Sequence, residues 1–331
     1  MLNASEQPST FTPDDDGFHR HLAGDEWWFT ETAWFSFHHR ERGLGGWFYT
    51  MVRPNIGTVA GGAWVWDSSA HLPWEVPYSA NYSALELPAD ADLRNVALPT
   101  GVRIEMVEPM MAYRLGYDDS DRFRADLLFE AIDQPRPLAS GTSTFGRAAH
   151  FDQIGHVTGT IELHGEQIEI DCWAMRDRTW GRRPEDRPRQ AAYVTAAGEE
   201  GQGFLAVTNT RDGTDRVAYG FVNRGEGQVT LVDGERSVAR NPETGWVEQI
   251  RIEARDERGV DFAVAGSAIN RITINRHTFI DINSLIEWRV EGLAGGADGG
   301  ADREVVWWGE DQDMWPMHRW SAAVRHRDWS L

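Results

Sequence analysis

Apolar residues in this chain come in short stretches, alternating or continuous, broken every few positions by Gly, Pro, Asn and Asp. That rhythm is the pattern of many short β-strands. Strands are expected over 26–39, 47–53, 62–67, 81–87 and 102–117. A second set is expected over 157–163, 167–175, 191–197, 203–208, 217–223, 246–254, 262–270, 285–290 and 304–308. No long stretch repeats at the helical period, and short helices are expected only at 311–315 and near 90–95. Regularly spaced strands with turn signals between them point to closed antiparallel barrels or sandwiches, since a parallel sheet would need crossover helices.

Length divides this all-β pattern. At 331 residues the chain exceeds what one core usually fills, so two barrels in tandem are expected. The Pro, Gly and Ser stretch at 134–146 reads as the seam. The expected division is a flexible acidic arm at 1–16, an N-terminal barrel at 17–140 and a C-terminal barrel at 141–331, with a Gly-rich hairpin loop at 292–300.

Charge and composition narrow the partners. A formal charge of −20 repels nucleic-acid backbones and anionic membrane surfaces. The longest apolar runs fall far short of the ~20 residues a spanning helix needs, so no membrane insertion is expected. Residues 1–16 have neither a basic start nor an apolar run and do not read as a secretory leader. Cys172 is the single cysteine, which excludes an internal disulfide and fits a reducing, cytoplasmic setting. All 32 cationic residues are arginine, which removes lysine Schiff-base chemistry and a phosphate-cradling lysine. A helical His-Glu-x-x-His unit, a Gly-x-Ser-x-Gly elbow and the nucleotide-binding glycine motifs are also missing. No metal and no cofactor are therefore expected. The remaining partners are a hydrophobic small molecule and, at most, a second copy of the chain.

Within 26–39 the period-two reading sets Trp27, Phe29, Glu31, Ala33, Phe35 and Phe37 on one face and Glu26, Trp28, Thr30, Thr32, Trp34 and Ser36 on the other. Glu31 thus stands among aromatics. Desolvation there would raise its pKa and make it a proton donor near neutrality, with Glu26 the alternative acid. The rival reading pairs Glu31 with an arginine or places it at a wet barrel mouth. Trp64 and Trp66 share one strand face, and with 16 Trp in the chain the rings exceed what packing needs. Their negative faces suit apolar ligands and developing cations. Arg176, Asp177, Arg178, Trp180 and Arg183 crowd one strand end. Asp177 there is either a bidentate partner of a neighbouring arginine or a base at a cavity mouth.

The segments 25–29 (Asp-Glu-Trp-Trp-Phe), 150–159 and above all Arg176-Asp-Arg-Thr-Trp-Gly-x-Arg183 resemble the AttH and carotenoid 1,2-hydratase (CrtC)-like family. This family of lipocalin-like (calycin) twin barrels also takes in fungal Diels-Alderases and kievitone hydratase-type proteins. The resemblance spans nearly the whole chain and is nearest to a bacterial branch with the pattern Arg-Asp-His-Ser-Trp-Gly-x-Arg. Here Arg178 and Thr179 replace that His and Ser, and an arginine cannot shuttle protons as a histidine can.

The resemblance implies a cofactor-independent acid–base enzyme that hydrates, dehydrates, isomerises or cyclises an isoprenoid-, polyketide- or aromatic-type molecule. Glu31, Glu26 and Asp177 are the candidate catalytic residues. Trp28, Trp34, Trp64, Trp66, Tyr82, Trp173, Arg178 and Trp180 are the candidate lining of a tryptophan-rich cavity. The rival from another class is a non-catalytic carrier of the same kind of ligand, and a third reading is an accessory protein with a closed core.

Overall fold

The computed structural model describes residues 10–26, 28–136, 147–183, 189–276, 279–290 and 305–329. The chain divides into two compact units, 1–185 and 186–331. The first unit carries β1 (Phe29–His39), β2 (Leu44–Arg53), β3 (Thr58–Trp66), β4 (Tyr78–Glu86), β5 (Asn95–Ala97), β6 (Arg103–Glu108), β7 (Ala112–Asp119), β8 (Phe123–Ala131), β9 (Arg147–Leu163) and β10 (Glu166–Arg182), with a one-turn helix α1 (Arg20–Ala23) before them. They form one antiparallel sheet in the order β4-β3-β2-β1-β10-β9-β8-β7-β6-β5.

That sheet curls. Tyr78 on β4 donates to Asp119 Oδ2 at 2.8 Å and lies 3.1 Å from the Tyr117 hydroxyl on β7. Those strands stand seven places apart, about 30 Å along a flat sheet. Only curvature brings them into contact, and it wraps the sheet around one core that includes Phe35, Phe37, Phe48, Tyr117, Phe129 and Ile170. The expected strand at 102–117 is two, split at Met110, which takes a left-handed φ of 63°.

The second unit holds β11 (Ala191–Ala197), β12 (Gly203–Arg211), β13 (Thr214–Asn223), β14 (Gln228–Arg240), β15 (Val247–Asp256), β16 (Asp261–Ala268), β17 (Ile272–Asn275), β18 (Phe279–Val290) and β19 (Val305–Pro316). They run β16-β15-β14-β13-β12-β11-β19-β18-β17, and β16 also pairs with β18. That pairing closes an eight-stranded barrel, which removes the exposed strand edges. Phe204, Phe262, Trp288 and Trp307 are among the side chains of its apolar core. Helix α2 (Met317–His326) follows β19, and its Trp320 packs at 5.9 Å edge-on against Trp315. The protein is thus all-β, two lipocalin-like barrel sheets in tandem. No helix among the described residues is long and apolar enough to cross a membrane.

Three expectations need correction. The division falls after Glu185, not at 134–146, because β9 and β10 pair with β8 and β1 and so belong to the first sheet. Of the expected seam, 137–146 lies outside the described residues, as do the expected loop at 292–300 and arm residues 1–9. The rest of that arm is not loose, since Asp16 at its end is only 2% exposed. Residues 311–315 are strand, not helix. Their alternation sends Asp311, Asp313 and Trp315 to the barrel interior, where Arg236 lies 2.6 Å from Asp311 and Arg240 lies 2.5 Å from Asp313. Near 90–95 there is a turn leading to β5.

Candidate functional site: two faces of β1 and β10

Strands β1 and β10 lie side by side, with Glu31 opposite Trp180, Ala33 opposite Arg178, and Phe35 opposite Arg176. These residues share the core face. Alternation therefore puts Thr32, Trp34, Asp177 and Thr179 on the opposite face.

On the core face Arg176 and Arg178 are consumed in ion pairs. Arg176 grips Asp16 with two bonds of 3.0 and 3.1 Å, and Arg178 lies 2.5 Å from Glu31. Glu31 also accepts from the His19 backbone N–H at 2.7 Å, and its Oε2 lies 3.1 Å from His19 Nδ1. Burial alone would raise the Glu31 pKa, but the charge of Arg178 and the contacts of His19 hold it below the usual carboxylate range. Glu31 is therefore an ionised structural partner rather than a proton donor. Trp180 closes this end, stacked on His19 at 4.4 Å.

The opposite face is different. Asp177 stands directly across from Asp152 on β9, and Thr179 across from His150. His150 joins the two strands: its Nδ1 lies 2.7 Å from Thr179 Oγ1 and its Nε2 2.7 Å from Asp152 Oδ2. Both His150 and Asp152 are buried. Asp177 keeps a partial exposure, yet its Oδ1 is sealed from solvent and accepts no hydrogen bond from any described residue. Burial and the facing Asp152 charge outweigh His150, Arg183 and Arg178 and push the Asp177 carboxyl up to about 6. Among the described residues Asp177 has no bidentate arginine, because alternation sends Arg176 and Arg178 to the other face, where Asp16 and Glu31 take them. Arg183 instead donates to Thr32 Oγ1 at 2.9 Å.

Tryptophans gather on this same face. Trp34 is the β1 neighbour of Asp177 and meets Trp47 edge-on at 5.9 Å; Trp47 in turn meets Trp64 at 6.2 Å and Trp66 at 5.6 Å. The other expected lining residues lie elsewhere. Trp28 donates to Glu26 at 3.1 Å, and Glu26, half-exposed, is itself paired with Arg182 at 2.7 Å. Tyr82 is an exposed edge-strand residue, and Trp173 stacks on His156 at 4.9 Å. Arg178 and Trp180 belong to the ion-paired core face. His150, Asp152, Thr179 and Thr32 were missed as site residues, although period-two spacing alone aligns His150 with Asp152 and Asp177 with Thr179. Among the described residues no group of three or more His, Cys, Asp or Glu side chains is arranged to hold a metal ion.

The chain belongs to the DUF7064 family, a domain of unknown function matched over residues 12–307. No curated protein matches it in sequence. Among solved structures it resembles an AttH-like protein from Nitrosomonas europaea, with 10% identity, coverage of 95% of this chain and 99% of that one, and a TM-score of 0.59. Kievitone hydratase from Nectria haematococca matches at 12% identity over 96% of this chain and 98% of its own, with a TM-score of 0.56. CghA with Sch210972 matches at 11% identity over 87% and 88%, with a TM-score of 0.52. At such identities the likeness is one of fold, and the fold is the twin barrel that the 176–183 motif implied.

Proposed function

We propose that this protein is a cofactor-independent acid–base enzyme acting on a hydrophobic isoprenoid-, polyketide- or aromatic-type molecule, with Asp177 as the proton-transfer group. The observation that carries this reading is the Asp177 carboxyl, pushed up to about 6, with one sealed oxygen that no described residue gives a hydrogen bond. A group with a pKa near the working pH can both give and recover a proton in one cycle. In a hydration, the protonated carboxyl delivers its proton to one alkene carbon. Water adds to the other carbon, and the proton that water releases returns to the carboxylate. The Thr179 hydroxyl, two positions along the same face and held by His150 Nδ1, would orient that water. Trp34 beside Asp177 offers a ring face to the developing cation. The twin-barrel fold shared with a hydratase supports the reaction class.

The test is a screen of apolar alcohols and alkenes with wild type and Asp177→Asn. The amide should keep binding within a few-fold while turnover falls by about 10²–10⁴, the usual worth of a positioned acid–base group. Unchanged turnover in the variant overturns the assignment. Tight binding with no turnover in either direction makes the protein a carrier.

A further inference from the structure

Asp16 sits on the core face of the first unit in a seat built by the sheet, although Asp16 itself is no part of the sheet. Arg176 holds its carboxylate fork to fork, Nη1 to Oδ1 at 3.0 Å and Nη2 to Oδ2 at 3.1 Å. Tyr113 donates its hydroxyl to Oδ2 and lies 2.7 Å from Arg176 Nη2, while Gln153 Oε1 accepts from Arg176 Nε at 2.8 Å. The guanidinium lies 3.9 Å from the Tyr113 ring centroid and 5.1 Å from that of Phe151. Arg176 is only 1% exposed. Beside it Arg178 donates to the Gly17 carbonyl at 2.7 Å, and its buried Nε finds no acceptor among the described residues.

Residues 11–19 lie against this seat without pairing with a strand. The backbone–backbone bonds they make are local: Asp15 N–H to Thr12 O, Gly17 N–H to Asp14 O, and Leu22 N–H to His19 O. Side chains fasten them to the sheet, through Asp16 and through Glu31, which accepts from the His19 N–H. Apolar groups flank the carboxylate on both sides. Phe11 packs 4.8 Å from Phe151, and Phe18 packs against the apolar core. One anionic head between apolar flanks, in a seat of guanidinium, phenol and aromatic rings, is the chemistry of an apolar carboxylic acid.

We propose that this seat binds an aryl- or alkyl-carboxylate, and that the 11–19 segment is a tethered occupant which such an acid displaces. A tethered group competes at high effective concentration, so the closed segment lowers the apparent affinity for a free acid by the fraction of molecules that are open. The seat is on the face of β1 and β10 opposite Asp177, so it stands or falls independently of the acid–base reading.

The experiment uses the whole chain with 4-phenylbutyrate as probe and 4-phenylbutanol as its uncharged control. Calorimetry reads binding, and an arginine-specific protease reads the segment through cleavage after Arg20, whose guanidinium is tied to the Pro88 carbonyl at 2.9 Å. The acid should bind saturably and speed cleavage after Arg20 in step with occupancy, and the alcohol should do neither. Asp16→Asn leaves Arg176 without a counter-charge and should bind the acid up to about tenfold more tightly, as expected if the resident carboxylate keeps the seat closed about nine-tenths of the time. If that variant does not fold, the wild-type measurements decide alone. No binding, binding without faster cleavage, equal binding of the alcohol, or unchanged affinity in a folded Asp16→Asn each overturns the proposal.

Discussion

Asp152 and Asp177 face one another across β9 and β10, and they are served unequally: Asp152 lies 2.7 Å from a histidine nitrogen, while Asp177 Oδ1 has no donor among the described residues. Two carboxylates opposite each other on one sheet face repel, and the one with the weaker support keeps its proton. That asymmetry keeps the Asp177 carboxyl protonated to a higher pH than an ordinary aspartate and leads to the first prediction.

Asp177→Asn should stabilise the protein while it lowers turnover by about 10²–10⁴. The folded pKa of about 6 lies above the ordinary 3.8, so the contribution of Asp177 is complete below pH ~4 and is lost as pH rises through 6. A shift of about two units corresponds to about 3 kcal/mol. Melting curves at pH 8 should favour the variant and those at pH 4 should coincide. A variant that melts lower than wild type at pH 8 would show Asp177 to be a structural partner after all.

Glu31→Gln should behave in the opposite sense. Removing one side of a buried ion pair costs about 3 to 5 kcal/mol, because Arg178 keeps its charge. Since the Glu31 pKa is depressed, its contribution is present above the ordinary 4.5 and fades as pH falls through the folded value. The gap between wild type and variant in denaturant titrations should therefore narrow on acidification. Glu31→Gln with Arg178→Met should recover part of the loss.

The second barrel carries a larger charged cluster. Arg236 contacts Asp215 at 2.7 Å, Asp311 at 2.6 Å and Asp313 at 3.5 Å inside the barrel. Burial raises the Asp311 pKa despite Arg236, whereas Arg240 and Arg236 overcome burial to hold Asp313 well below its ordinary value. Arg236→Met strands this surplus of carboxylates and should lower stability at pH 7 by about 3 to 5 kcal/mol. The penalty should shrink at pH 4, where the carboxyls can take up protons. A variant whose stability deficit is independent of pH would place the loss in packing.

Trp180 distinguishes ring packing from ligand lining. It is 2% exposed, stacked on His19 and edge-on to Phe151 at 6.2 Å. Trp180→Phe should be mild, and Trp180→Ala should cost about 3 to 5 kcal/mol by the cavity it leaves. Turnover per folded molecule should be unchanged in Trp180→Phe, because the ring lies on the face away from Asp177. A collapse of turnover in that variant with normal melting would move the active site to the core face.

Local pattern determined the strand-rich class and the two faces of residues 29–37, because side-chain alternation depends only on neighbours in sequence. It likewise brought Asp177 forward as a polar group at the end of its strand. Partner choice was a different matter. Arg176 and Arg178 are adjacent in sequence to Asp177 but meet Asp16 and Glu31, residues roughly 150 positions away, because β10 pairs with β1. The pairing of β9 and β10 with the first sheet moved the division to 185, and closure of the second barrel made 311–315 a strand whose acids meet Arg236 and Arg240. The shifted carboxyl of Asp177 arises in the same way, since only strand register sets Asp152 against it. Propensity and periodicity act over a few residues, whereas register between distant strands is chosen when the chain buries its apolar faces together, and that choice decides which charges are neutralised and which carboxyl is pushed up.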